Sequence, residues 1–512
     1  MLTLDLRCDK KRPLHRQIYE QVRTAILTGR LRAGQKLPAS RQLAQSLGVS
    51  RSTVTQSYDQ LIGEGYLHTQ TGSGTFVCAE IPDNLLMTAP SPRFQQGCFT
   101  MPTEEALPPL SAYAQRIRAL ELLPTAPKQG LISFRYWRPD LSLFPIHQWQ
   151  QLIKRHSQDN TNWMTYSRMP TGHPRLREEI ATYIGQARGV HCSPEQIVVT
   201  QGTQQALGLI AQLLLEPNDT VALEEPGYLS ARKIFLSRAA RLLPIPVDGE
   251  GLIVRAANGL VEQTHRQPAK LVYVTPSHQF PTGAVMSLQR RLALLQWAQE
   301  TRSIIIEDDY DSEFRYAGRP VPALQGLDSA SGNLTNARVL YIGTFSKVMF
   351  PGLRLGYLVL PPALVPIFAR AKWLCDRQCS WLHQSALADF IGKEHLSKHI
   401  RRMRTVYGRR REILIQALQE CCRSFGPVAI EGDPAGLHLM AQLPLAQAGL
   451  CDHQLVERAR RKDVDLFSLS PYYLQPPASN DRFIFGFGGL DEADIQEAIA
   501  RIHSVLQDAV DN

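Results

Sequence analysis

Lys347 stands where an amine can become a nucleophile. It follows an apolar run, Val339 to Ile342, that reads as a buried strand. The hydroxyls of Thr344 and Ser346 flank it, and a Pro351-Gly352 turn and Arg354 follow. A lysine just past a buried strand is poorly explained as a solvated charge. It is placed to be desolvated, which lowers its pKa and suits it to Schiff-base chemistry. Thr344, Ser346 and Arg354 add two hydroxyls and a guanidinium fork, a set that matches a phosphate dianion. Ser-Lys pairs also arise by chance, so a structural lysine stays open until partners are found elsewhere.

Two further stretches supply such partners. Val198 to Leu207 reads as a strand, a glycine turn and a helix start. Free N–H groups at Gly202, Thr203 and Gln204, with the helix dipole, make an anion site, although an ordinary strand-to-helix turn has the same pattern. Ile304-Ile-Ile-Glu-Asp-Asp-Tyr-Asp-Ser-Glu-Phe314 ends a buried strand in a burst of acid. Clustered carboxylates beside an apolar run are costly unless a cation pairs with them. A protonated pyridine nitrogen is one such cation. A metal ion is another, but no histidine or second acid cluster in the sequence supports one. The basic run Arg401-Arg402-x-Arg404 with Arg409-Arg410-Arg411 lies on a helix and reads as a solvated face, with a DNA or subunit contact as the alternative.

The elements that position these residues alternate. Strand-like runs at 197–200, 220–223, 240–245, 270–274, 303–307 and 339–342 are separated by helical stretches, the signature of an α/β fold with a mostly parallel sheet. Active groups in such sheets sit at strand carboxyl ends.

The first 78 residues are different. They hold eleven Lys or Arg against five Asp or Glu, a surplus of six within the formal +9 of the 512-residue chain. A basic module before a nearly neutral body points to nucleic acid. Leu14, Ile18, Val22, Ala25 and Ile26 line one face of a helix that Gly29 ends. Ser40 reads as the cap of a second helix, 41–47, and Ser50 as the cap of a third, 51–63. Two short strands around Gly72-Ser73-Gly74 complete a winged helix-turn-helix.

At this length the chain holds more than one domain, since single cores stop growing near about 250–300 residues. Its amino terminus lacks the basic-then-apolar order of a secretory signal, and no apolar run reaches the roughly 18 residues that span a bilayer. Nine scattered cysteines fit a reducing cytoplasm better than a disulfide framework, and Cys375, Cys379, Cys421 and Cys422 read as buried thiols. Prolines at 82, 90, 92, 102, 108, 109, 124 and 127 mark an extended linker, with a short helix around 110–122.

Longer patterns carry a family resemblance. Ser346-Lys-x-x-x-Pro-Gly-x-Arg-x-Gly356 resembles the cofactor-lysine segment of fold-type I aminotransferases, which hold pyridoxal 5′-phosphate (PLP). Leu37-Pro-Ala-Ser-Arg-Gln-Leu-Ala44, Leu47-Gly-Val-Ser-Arg-Ser-Thr-Val54 and Gly72-Ser-Gly-Thr-Phe-Val77 resemble the GntR-type DNA-binding domain. Together they resemble the MocR/GabR subfamily of GntR-type regulators. The resemblance implies a winged helix-turn-helix at 1–78, a linker at 79–128 and an α/β fold-type I aminotransferase-like domain at 129–512. It further implies that Lys347 bonds PLP, that Gly202, Thr203, Gln204, Thr344, Ser346 and Arg354 hold its phosphate end, and that Tyr228 stacks on the ring. Asp308 pairs the ring nitrogen, with Asp309 the lesser choice, and Tyr310 reaches the ring oxygen. Arg482 clamps a ligand carboxylate. Lys36, Arg41, Arg51, Ser52, Thr53 and Gly72 meet double-stranded operator DNA.

The expected protein is a cytoplasmic, homodimeric transcription regulator that senses a small amine, an amino acid or PLP. A working aminotransferase with a DNA-binding head is the alternative. Tyr273-Val-Thr-Pro-Ser-His-Gln-Phe-Pro-Thr-Gly283 departs from the aminotransferase pattern, since Phe280 stands where those enzymes have an asparagine donor. His278 is a partial substitute for that donor, or an ordinary turn histidine. Tyr136-Trp-Arg-Pro-Asp140 resembles the entry segment beside the site, with Arg138 near a usual glycine.

Overall fold

The computed structural model describes residues 4, 6, 12–70, 72–79, 108–121, 130–159, 162–318, 321–329, 337–432, 434–477 and 479–511. The chain divides into two compact units, Met1–Leu107 and Pro108–Asn512.

In the first unit, helices Leu14–Leu27, Ser40–Leu47 and Arg51–Gly63 enclose a small core of Ile18, Val22, Leu43, Val54, Tyr58 and Leu61. The wing is the antiparallel pair Leu67–Gln70 and Gly74–Val77. Ser50 caps the third helix by accepting from the Thr53 N–H. Ser40 departs from its expected role. It is the first helical residue, Ala39 takes the cap position, and no side chain caps that helix.

The second unit is built on an eight-stranded sheet. Its order runs Ile197–Thr200, Gly356–Val359, Val339–Thr344, Ile304–Asp309, Leu271–Val274, Thr220–Glu225, Arg241–Asp248, Gly251–Leu252. The five strands from Val339–Thr344 to Arg241–Asp248 are mutually parallel. Gly356–Val359 is antiparallel to both its neighbours, because the Pro351-Gly352 turn sends the chain straight back along Val339–Thr344. A four-stranded antiparallel sheet, Ala429–Glu431, His438–Gln442, Arg482–Gly486 and Phe467–Ser468, follows near the carboxyl end. Helix His395–Cys422 runs toward it and packs against helix Glu492–Val510.

Part of the expected linker belongs to the second unit. Helix Ala112–Arg118 packs against helix Leu229–Ser237, where Arg116 Nε donates to the Ser237 carbonyl at 2.8 Å. Residues 80–107 and 122–129 lie outside the described residues. Of the cysteines expected to be buried, Cys379, Cys421 and Cys422 are, whereas Cys375 is exposed. Among the described residues no helix is long and apolar enough to cross a membrane.

Candidate functional site

Parallel strands deliver their carboxyl ends to one cavity of about 360 Å³. Nine of the residues expected there line it: Thr203, Gln204, Tyr228, Asp308, Tyr310, Thr344, Ser346, Lys347 and Arg354. Gly202, also expected there, is not among the lining residues; it is the N-cap of helix Thr203–Leu214, with φ 79° and ψ 179°. Its backbone, at positive φ with ψ near 180°, is one that glycine alone adopts readily, and a Cβ there would only touch the Arg354 guanidinium, 3.4 Å from both terminal nitrogens. Arg354 Nη2 is anchored on the Gln201 carbonyl at 2.8 Å. The Thr344 hydroxyl donates to Ser346 Oγ at 3.1 Å, which clusters both hydroxyls beside Lys347. Helix N-terminus, hydroxyls and guanidinium form an anion cradle.

Burial lowers the Lys347 pKa to about 8, with the charges of Asp311 and Asp308 opposing the shift. About a tenth of the amine is therefore neutral at pH 7, far more than for an ordinary lysine, and the neutral form is the nucleophile.

The acid-rich strand end resolves by alternation, because successive strand residues face opposite sides. Asp308 faces the cavity, where Oδ2 accepts from Tyr273 at 2.7 Å and Oδ1 is buried with no partner. Burial raises its pKa to about 7. Asp309 lies on the other side, paired with Arg188 at 2.7 Å and bonded by Tyr341 at 2.8 Å. Glu307 accepts the N–H groups of Leu324 and Gln325, both at 2.9 Å. The choice of Asp308 over Asp309 thus has a geometric basis.

His278 does not line the cavity. It is buried, its Nδ1 lying 3.2 Å from both Asp311 oxygens and 3.1 Å from the Tyr310 hydroxyl. It supports Tyr310 from behind and does not stand in for an asparagine. His438 packs against it, with ring centroids 4.6 Å apart, so His278, Asp311 and His438 form the histidine-containing cluster that the sequence left hidden. Nδ1 of His278 is engaged as above and His438 Nε2 meets the Pro281 carbonyl at 3.2 Å, while His278 Nε2 is buried with no partner.

Phe280 lines the cavity and meets Tyr228 edge-on, with ring centroids 5.7 Å apart. Tyr136 and Trp137, from the expected entry segment, line it too. Ser230, Tyr273 and Thr275 also face the cavity, although sequence reasoning did not single them out. Tyr273 and Thr275 were legible as the end of a strand and the residue just past it. Arg482 is not brought in. It is half-buried at the start of strand Arg482–Gly486, where its charge acts on Tyr473.

A second group of expected residues lies in the first unit. Arg41 and Arg51 are exposed in the first turns of their helices. The hydroxyls of Ser52 and Thr53 lie 2.8 and 2.7 Å from Ser50 Oγ, so the cap orients them. Lys36 is exposed beside the wing, its ammonium 5.9 Å from the Phe76 ring centre, and Gly72 turns the wing at φ 79°.

Fold and site together define a winged helix-turn-helix joined to a fold-type I aminotransferase domain. The family model for aminotransferases of class I and II matches residues 139–502, and that for bacterial regulatory proteins of the gntR family matches residues 14–77. The chain is 38% identical over 506 residues to the probable rhizopine catabolism regulatory protein MocR of Rhizobium meliloti, covering 99% of this chain and 96% of that one. It is 32% identical over 498 residues to the pyridoxine biosynthesis transcriptional regulator PdxR of Corynebacterium glutamicum, covering 96% and 95%. Among solved structures it resembles LysN, the α-aminoadipate aminotransferase of Thermus thermophilus, complexed with N-(5′-phosphopyridoxyl)-L-leucine. That likeness has a TM-score of 0.68 and 27% identity, over 78% of this chain and 98% of that one. The chain belongs to the MocR-type GntR transcription regulators, DNA-binding proteins with an aminotransferase-like domain. The cofactor of that domain is PLP. The residues present fit it: a buried amine, an anion cradle and an unpartnered buried carboxylate oxygen share one cavity.

Proposed function

We propose that this regulator binds PLP through Lys347 and reads a small amine, an amino acid or PLP itself as its effector. The observation that carries the reading is the lone Oδ1 of Asp308, buried in the same cavity as the Lys347 amine. A buried acceptor without a donor is costly, and a protonated ring nitrogen supplies that donor. Bound PLP contributes an aldehyde that amines attack and a ring that withdraws electrons. Around it, Gly202, Thr203, Gln204, Thr344, Ser346 and Arg354 take the phosphate. Tyr228 covers the ring, and Tyr310, whose hydroxyl here donates to the His278 carbonyl at 2.9 Å, turns that proton toward the ring oxygen. Phe280 offers no donor where aminotransferases have asparagine, which favours a sensor over a working enzyme.

An effector amine competes with Lys347 for the cofactor, and Arg482 meets the effector's carboxylate when the carboxyl-terminal part closes. Lys36, Arg41, Arg51, Ser52, Thr53 and Gly72 contact operator DNA. The protein acts as a cytoplasmic homodimer. One exposed patch supports the dimer: Met164, Tyr166, Met169, Trp373 and Leu374 are 46–77% exposed. Arg377 ties it together, lying 4.8 Å over Tyr166 and 5.1 Å over Trp373. Two exposed aromatic rings bridged by one guanidinium, with exposed apolar residues beside them in the chain, are suited to an interaction surface.

The test is a titration of amino acids and amines against the visible absorbance of the PLP-loaded chain, with and without operator DNA. Linkage requires operator to shift effector affinity by the factor with which effector shifts operator affinity, typically about 5–150-fold. Equal affinities in both series, with product keto acid accumulating over many turnovers, would identify a tethered enzyme instead.

A further inference from the structure

A second cavity, of about 510 Å³, opens where helix Pro174–Arg188 meets the segment after strand Ile304–Asp309 and helix His395–Cys422. Arg188, Arg315, Arg401 and Arg404 line it, against a single acid, Glu313. Two of these arginines are structurally committed. Arg188 is 8% exposed and pairs with Asp309, and Arg404 donates to the Glu313 carbonyl at 2.7 and 3.2 Å.

The other two are not. Arg315 makes one side-chain hydrogen bond, Nε to the Gly318 carbonyl at 3.4 Å. Arg401, which is exposed, makes no hydrogen bond or ion pair among the described residues. By contrast Arg410, buried in the same unit, is matched by Asp140 at 2.6 Å and the Gly488 carbonyl at 2.9 Å. Glu313 gives little compensation. Its carboxylate is already bonded by Tyr183 at 3.0 Å, and burial and Asp309 raise its pKa to about 7. The Arg315 pKa is lowered by burial and then by the charge of Arg188, so the guanidiniums sense one another.

Converging cations around a concave space repel unless an anion joins them, and a concave wall focuses their field. Two open guanidinium forks match the oxygens of a phosphate dianion better than one carboxylate. The depth to Arg188 favours a small ligand over a nucleic-acid backbone, which would engage a ridge or groove on the surface.

We propose that this cavity is a second ligand site, for a small metabolite carrying a phosphate dianion. Pyrophosphate is the probe, titrated by calorimetry into the full-length chain saturated with PLP, so that the cofactor's own cradle is filled. The proposal predicts one saturable site per chain. Its affinity falls at least tenfold in Arg401→Ala and in Arg315→Ala, and holds in Arg458→Ala, an exposed arginine that does not line the cavity. Arg401 is exposed, so its variant keeps the fold. No saturable binding, or unchanged affinity in both Arg401→Ala and Arg315→Ala, overturns the proposal. So does loss in Arg354→Ala with retention in Arg401→Ala, which places the probe in the cofactor cradle. If pyrophosphate fails to bind while Arg401→Ala weakens operator binding, the face meets DNA and the proposal is equally wrong.

Discussion

The phenol of Tyr273 donates to Oδ2 of Asp308 at 2.7 Å, and Oδ1 of the same carboxylate is buried with no partner. Without cofactor this carboxyl is kept partly protonated, its pKa raised by burial from 3.8 to about 7. The native state therefore holds a proton that the unfolded chain releases between about pH 4 and pH 7. Stability from the neutral carboxyl is present below pH 4 and is lost as pH rises toward 7. Asp308→Asn has no such loss, so cofactor-free variant should gain on cofactor-free wild type by up to about 1.4 kcal/mol per pH unit. Urea unfolding at pH 5 and pH 7 checks this. The same difference at both pH values would contradict it.

Gly202 holds a conformation open essentially to glycine alone, at the helix start beside Arg354. Gly202→Ala should cost about 1–3 kcal/mol, felt as weaker PLP binding by roughly tenfold or more and a lower melting temperature. Equilibrium dialysis of PLP against both proteins measures the first. An unchanged dissociation constant would show that the turn does not hold the cofactor.

Much of this site was legible because its residues sit at strand ends, where apolar runs announce the strand and the next few residues announce the chemistry. Lys347, Thr203, Tyr228 and Asp308 all follow that rule, whereas the preference for Asp308 over Asp309 rests on the family resemblance, and the structure puts Asp308 in the cavity lining and Asp309 against Arg188. What the sequence hid is distant in the chain. Nothing local tells that Asp309 pairs with Arg188, or that His278, Asp311 and His438 converge from three segments. Strand Gly356–Val359 went unread because it is short and continues a motif recognised for its chemistry. Arg482 stands at the start of its strand, outside the lining of the cofactor cavity in this structure.

Ser50 caps the helix that carries Arg51. Ser50→Ala should destabilise the first unit by about 1 kcal/mol. Arg51→Ala should leave its stability alone and weaken operator binding by about 1–3 kcal/mol. Gel shifts at physiological salt, with thermal melts of the same samples, separate the two effects. Full operator affinity in Arg51→Ala would remove it from the interface.

The exposed patch around Trp373 and Leu374 is expected to be covered by a second copy of the chain. Leu374→Arg with Tyr166→Arg places two charges in it and should shift the protein from dimer to monomer in light scattering at micromolar concentration. A wild type that is already monomeric, or a double variant that stays dimeric, would place the interface elsewhere or remove it.

Lys347 is the residue on which the account turns, and reduction with borohydride reads it directly. PLP-loaded wild type should show visible absorbance that borohydride abolishes, leaving a pyridoxyl group on the peptide that contains Lys347. Lys347→Ala, folded by circular dichroism and still binding operator DNA, should show neither the absorbance nor the adduct. A reducible adduct that persists in Lys347→Ala, or a wild-type adduct mapped to another lysine, would contradict the assignment.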